Sequence, residues 1–166
     1  MPPSKTNFLR IILTSLILTF SWGGLAEAVT LTFKLKISDW EAIDLGPPGP
    51  SLVDLDAGNG ILLDLKGNEI GIFDFQSTLT NKTANAEVRW LNVQYTFNDG
   101  LDSIIIQGRA EEQSDTKLPK QDIPVYYAIT GGTGKYAGAK GACKVVMVAN
   151  KDWVNTCKFQ ASRIKF

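Results

Sequence analysis

The sequence predicts an all-β, single-domain chain, and three observations carry that prediction. Apolar and polar residues alternate with a period of two along several segments, as they do in strands with one buried face. Turn signals, chiefly Asn98-Asp99-Gly100 and Gly131-Gly132-Thr133-Gly134, separate those segments. Long helical periodicity and internal repeats are both absent beyond the N-terminal segment.

Lys5 and Arg10 precede an apolar run from Ile11 to Phe20, and Ala26-Glu27-Ala28 follows as a small-x-small cleavage site. Residues 1–28 therefore read as a secretory signal peptide, since the run falls short of the ~20 residues needed to cross a bilayer. An uncleaved anchor is the competing reading. Cleavage leaves residues 29–166 as one exported domain, extracellular or, in a bacterium, periplasmic. No later run is long and apolar enough to span a membrane.

Lys and Arg together number 17, as do Asp and Glu. Such a balance offers no basic surface for a nucleic acid. The chain has no His, which excludes Ser-His-Asp and Cys-His nucleophile pairs, histidine metal sites and imidazole proton transfer. Two Cys with carboxylates alone would make an unusual zinc set, so neither a metal nor a cofactor is expected.

From Val29 the pattern is that of a strand, with Leu31, Phe33, Leu35 and Ile37 alternating against Thr30, Thr32, Lys34, Lys36 and Ser38. If the strand continues unbulged, Asp39 and Glu41 fall on its inner face and Trp40 points out. Carboxyls at the end of a buried face are costly unless they see water or a cation, and desolvation there suits them to proton transfer. The alternative ends the strand at Ser38 and puts both acids in the loop through Gly46-Pro47-Pro48-Gly49-Pro50. Ser51 to Leu65 carries Asp54, Asp56, Asn59 and Asp64 beside Gly58 and Gly60, but lacks the calcium-loop spacing. Solvated loop acids are the expectation there. Gly67-Asn68 suits a turn before a strand from Ile70 to Leu79, and Asn81-Lys82-Thr83 is a glycosylation sequon in the polar loop that follows.

Arg89, Leu91, Val93, Tyr95 and Phe97 alternate with Trp90, Asn92, Gln94 and Thr96. After the turn at Gly100, Ser103 to Arg109 returns as the second arm of a hairpin. Arg109 grips an anionic group or pairs with an acid if it points inward, and is an ordinary surface charge if outward. Glu111 to Asp122 is the longest loop rich in breakers and a candidate lid.

Tyr126 to Val148 reads as strand, glycine turn, strand, because Tyr126, Tyr127, Ile129 and Thr130 suit a pleated surface and the glycines supply a corner. Gly132, Gly134 and Ala137 fit a relaxed dinucleotide fingerprint, but no helix can start there: Gly138 and Gly141 interrupt it and Lys144 to Val148 is strand-like. A phosphate loop fails because Ile129 and Tyr136 stand at its fixed positions.

Ala128-Ile129-Thr130-Gly131-Gly132-Thr133-Gly134, followed by Tyr136, Gly138 and Gly141, resembles the signature of the allene oxide cyclase and dirigent protein barrels. Tyr95-Thr96-Phe97 with Gly100 and Ile104 to Gly108 is similar to the preceding strand pair, and Gly71-Ile72-Phe73 to the strand before it. The resemblance covers about residues 50–148. It implies an eight-stranded antiparallel barrel at residues 29–166, commonly a homotrimer, whose apolar cavity folds a reactive substrate along one stereochemical course. Spacing back from Pro48 sets Asp39 at the cyclases' Glu and Glu41 at their Asn, while Phe73 and Ala110 replace a cavity Cys and Tyr. These departures point to a related barrel with another ligand.

Trp153 to Phe166 alternates weakly and would close the barrel. A hairpin centred on Asn150 sets Cys143 opposite Cys157, close enough for a cross-strand disulfide in an oxidising compartment. Two free buried thiols are the alternative. The expected function is stereoselective cyclisation of an apolar small molecule by confinement, with Asp39 and Glu41 as catalytic residues and Pro48, Phe73, Tyr95, Phe97 and Arg109 as ligand-binding residues. A dirigent role beside a separate oxidase, and a lipocalin-like carrier, are the alternatives.

Overall fold

The computed structural model describes residues 27–49, 51–97, 100–113, 119–148 and 152–161. The expected signal peptide, apart from its last two residues, lies outside them. Eight antiparallel strands follow one another: β1 (Glu27–Ile43), β2 (Leu55–Leu63), β3 (Glu69–Lys82), β4 (Ala86–Phe97), β5 (Asp102–Gln113), β6 (Val125–Thr133), β7 (Lys140–Met147) and β8 (Trp153–Ala161). Each pairs with its neighbour in sequence and β8 pairs back on β1, so the sheet closes as a barrel with no free edge.

Period-two alternation decides which side chains enter the barrel. On β4, Arg89, Val93, Tyr95 and Phe97 are buried while Trp90, Asn92 and Gln94 are exposed. The β4–β5 hairpin runs in one unbroken register from Ala86↔Gln113 to Phe97↔Asp102, with Gly100 at φ 94° in its turn. β5 thus continues through residues read as loop from the sequence, Glu111 to Gln113. The glycine-rich corner holds one 3-10 turn, Gly134–Tyr136, in place of a longer helix. Gly134 and Gly138 have φ of 58° and 69°, where a β-carbon is strained.

That corner turns Tyr136 into the barrel, where its ring meets Phe97 at 5.7 Å and Phe159 at 5.4 Å, edge to face. Phe33 continues the cluster against Tyr95 and Phe97 at 5.0 and 5.7 Å. Each such pair adds about 0.5–1.5 kcal/mol beyond its burial. The interior beside the glycine corner is therefore packed with rings.

The register Lys140↔Gln160 through Met147↔Trp153 sets Cys143 opposite Cys157, and the two form a disulfide. The segment from Ser51 to Leu65 departs from expectation. Most of it is β2, and Asp54 and Asp56 are buried rather than solvated loop acids. Gly58 and Gly60 disguise this strand in the sequence, yet the pairing requires them. They face Phe75 and Phe73 on β3, and a β-carbon would fall 2.5 Å from the Phe75 ring or 2.6 Å from the Phe73 ring. Asp64 closes the β2–β3 turn, accepting hydrogen bonds from the backbone N–H groups of Lys66 and Asn68.

Candidate functional site

The end of the barrel opposite the ring cluster is hollow. A cavity of about 120 Å³ lies between the strands, lined by Leu35, Phe73, Phe75, Leu91, Val93, Ile106, Tyr127, Val145 and Trp153. Tyr95, a member of the ring cluster, also lines it, while Ile37 and Trp40, each more than two-fifths exposed, carry it out to solvent.

A β-bulge decides which side chains of β1 reach this mouth. The register passes from Ile37↔Gly60 to Asp39↔Asn59, so Ser38 is the extra residue and the alternation inverts after it. Trp40 then shares a face with Gly58 and lines the cavity, whereas Asp39 and Glu41 pair with Asn59 and Ala57 on the outer face and are exposed. This corrects the inward placement expected of the two acids. The strand does run on past Ser38, but with its faces exchanged.

The acids at the cavity come from other strands. Asp56 on β2, Ser77 on β3 and Glu112 on β5 line it beside Arg89 of β4, which is 3% exposed. Glu87 and Glu112 are direct cross-strand partners, an arrangement of like charges that is unfavourable alone. The guanidinium between them relieves it: Nη2 meets Glu87 Oε2 at 3.2 Å, Nε meets Glu112 Oε2 at 3.3 Å and Nη1 meets Asp56 Oδ2 at 2.5 Å. The Nε contact is ionic without hydrogen-bond geometry. Ser77 Oγ donates to Asp56 Oδ2 at 3.4 Å, and Lys82 approaches Glu87 from the half-exposed side at 3.9 Å.

Two phenols complete the polar groups. Burial, with the Glu112 charge as a smaller cause, pushes the Tyr127 hydroxyl above the usual tyrosine range. Burial, then Tyr127, does the same to Tyr95. Both are thus held as protonated hydrogen-bond donors. Tyr95 donates to Asn155 Oδ1 at 2.9 Å, and the Asn155 Nδ2 donors have no partner among the described residues.

Among the ligand-binding residues expected from the sequence, Phe73 and Tyr95 line the cavity. Phe97 belongs to the ring cluster, Pro48 lies exposed in the β1–β2 loop, and Arg109 is exposed on the outer face opposite Trp90. Of the expected lid loop, Pro119 is buried and lines the cavity, while residues 114–118 lie outside the described residues. Arg89 is not among the site residues expected from the sequence, although it stands in phase with the apolar face of β4. A charge in that phase is the signal that would have found it. Among the described residues no group of three or more His, Cys, Asp or Glu is arranged to hold a metal ion.

No family model matches the sequence, and neither does any curated protein. Solved structures do. A pyocyanin demethylase superposes with a TM-score of 0.63 at 27% identity, over 79% of this chain and 99% of that one. The Diels–Alderase AbmU from Streptomyces koyangensis gives 0.62 at 15% identity, over 99% and 84%. The pterocarpan synthase dirigent protein PsPTS1 gives 0.60 at 16% identity, over 84% and 97%. The fold is that of the dirigent and Diels–Alderase barrels.

Proposed function

We propose that the barrel binds an apolar, unsaturated small molecule in its cavity and directs a stereoselective cyclisation. The observation that carries this reading is the division of the interior: one end filled with rings, the other an apolar chamber with protonated phenols and carboxylates at fixed positions on its wall. Confinement of a flexible reactant in one conformer lowers its barrier through orientation and exclusion of water, and asks few chemical groups of the protein. Tyr127 would donate to an oxygen of the substrate where negative charge builds up. Asp56 and Glu112, held by Arg89, would accept a proton or face developing positive charge. The exposed Asp39 and Glu41 have no part in this reading. Export fits the disulfide, which persists in oxidising compartments.

Similarity to a dirigent protein favours one second reading, in which the barrel orients radicals made by a separate oxidase. Incubation of the purified protein with polyene and phenolic substrates, followed by chiral chromatography, separates the two. Stereoselective product without oxidant supports cyclisation; selectivity that appears only with a one-electron oxidant supports the dirigent role. Racemic product in both arms overturns both.

A further inference from the structure

We infer that Tyr95 and Asn155 form a two-position hydrogen-bond switch, through which the Tyr95 hydroxyl grips one uncharged carbonyl oxygen on an otherwise apolar ligand. The inference rests on the cavity being the small-molecule site and names the polar feature that its ligand carries. It starts from a buried group left without a partner. Asn155 on β8 is 0% exposed, and its Nδ2 donors meet no acceptor among the described residues. A buried donor in that state is costly, and folded proteins keep few of them without a use.

The neighbours of Asn155 place it against the cavity. Val145, its partner across the β7–β8 ladder, and Trp153, two residues earlier on its own strand, both line the chamber. Asn155 itself is not on the wall, but Tyr95 is, and Tyr95 is its hydrogen-bond partner. The Tyr95 hydroxyl donates to Asn155 Oδ1 at 2.9 Å, so its proton is committed to the amide. A half-turn of the carboxamide reverses the pair. Oxygen and NH2 fill nearly the same space and the terminal torsion of Asn is broad, so the turn asks for no extra room. Nδ2 then donates to the Tyr95 oxygen, and the phenolic proton is released to the cavity that Tyr95 lines.

Counting bonds decides when the switch turns. The pair makes one hydrogen bond in either position alone, and two in the second when a carbonyl accepts the released proton. That second bond is strengthened by the one behind it. A hydrocarbon of the same shape leaves the switch in its first position. Burial holds the Tyr95 hydroxyl protonated above the usual tyrosine range, so it stays a donor in both. An ionised acceptor would lose its hydration against so apolar a wall, which leaves an uncharged carbonyl. A dry cavity of about 150 Å³ accepts benzene, so a chamber of about 120 Å³ takes about one ring of the ligand.

The test titrates the purified protein with acetophenone and α-methylstyrene, which differ only in oxygen against methylene, and reads the carbonyl stretch of bound acetophenone by isotope-edited infrared spectroscopy. Transfer from water alone favours the styrene, so the comparison is of how each probe responds to substitution. Tyr95→Phe keeps the ring against Phe33. It should weaken acetophenone about fivefold, leave the styrene within about twofold, and move the carbonyl stretch to higher wavenumber. Asn155→Leu removes the amide behind the phenol and should give a stretch between those of the native protein and Tyr95→Phe. The double variant replaces both polar groups with apolar ones of similar shape, which preserves the fold, and should match Tyr95→Phe in both readouts. Equal losses for the two probes in Tyr95→Phe, or a stretch that none of these variants moves, make the pair a structural hydrogen bond only and overturn the inference while the cavity reading survives. A stretch that responds to Tyr127→Phe alone gives the oxygen to that phenol and also overturns it. Failure of both probes to bind the native protein removes the cavity reading and this inference together.

Discussion

Replacing Arg89 with Met tests whether the charged cluster is a buried network or a loosely solvated one. Arg89 is 3% exposed and Glu87 1%, and three carboxylates lie at 2.5, 3.2 and 3.3 Å from the one guanidinium. Methionine keeps much of the stem volume and removes the charge, stranding like-charged Glu87 and Glu112 across from each other. Removing one partner of a buried ion pair costs about 3–5 kcal/mol. A domain of this kind has a total stability of about 5–15 kcal/mol, so the midpoint of urea unfolding should move far toward zero denaturant. Adding Glu87→Met should recover part of the loss, because one stranded charge becomes apolar volume; exposed pairs, worth ~0–1 kcal/mol, show no such recovery. A loss under about 1 kcal/mol for Arg89→Met, or a double variant less stable than the single one, refutes the buried network.

Three further outcomes follow from the same structure. Cys143→Ala with Cys157→Ala removes a bridge across 14 residues and should cost about 3 kcal/mol by thermal unfolding; an unchanged midpoint would mean the crosslink constrains nothing. Gly60→Ala places a β-carbon 2.6 Å from Phe73 Cε1 and against the Lys36 carbonyl, and should lower stability by about 1–3 kcal/mol, whereas an unperturbed protein would contradict the pairing of β2 with β3. The hydroxyls of Tyr95 and Tyr127 stay protonated above the ordinary value of 10.0, so an unfolded chain releases protons there that the native barrel keeps. The contribution of these two hydroxyls is therefore full below pH 10 and falls as the pH rises beyond it, and ultraviolet difference spectra of Tyr95→Phe and Tyr127→Phe should each lose a tyrosine that ionises only with unfolding.

The parts of this fold that could be read from the sequence are those whose physics is local. The β4–β5 hairpin follows from alternation on both arms and a glycine turn between them, and the Cys143–Cys157 pairing from a hairpin centre a few residues away. β2 was hidden because Asp56, Gly58 and Gly60 look like loop residues until Phe75 and Phe73 lie across from them. The bulge at Ser38 likewise lies beside close contacts made from another strand. The β-carbon positions of Gly58 and Gly60 lie against the carbonyls of Asp39 and Lys36, an approach that no pattern within β1 reveals.

The misplaced acids and the unmarked arginine share one physical origin. Period-two reasoning assigns a face to each residue only while the register is unbroken, and a single extra residue exchanged the faces of β1 at the mouth of the cavity. Arg89 kept its phase, but a buried arginine is tolerable only with acids beside it. Those acids arrive from β2 and β5 as well as from its own strand. The barrel therefore assembles its polar site from residues that look like errors on three separate strands. Closure of the ring turns them into one another's counter-charges, at the end of the interior that the aromatic cluster leaves unfilled.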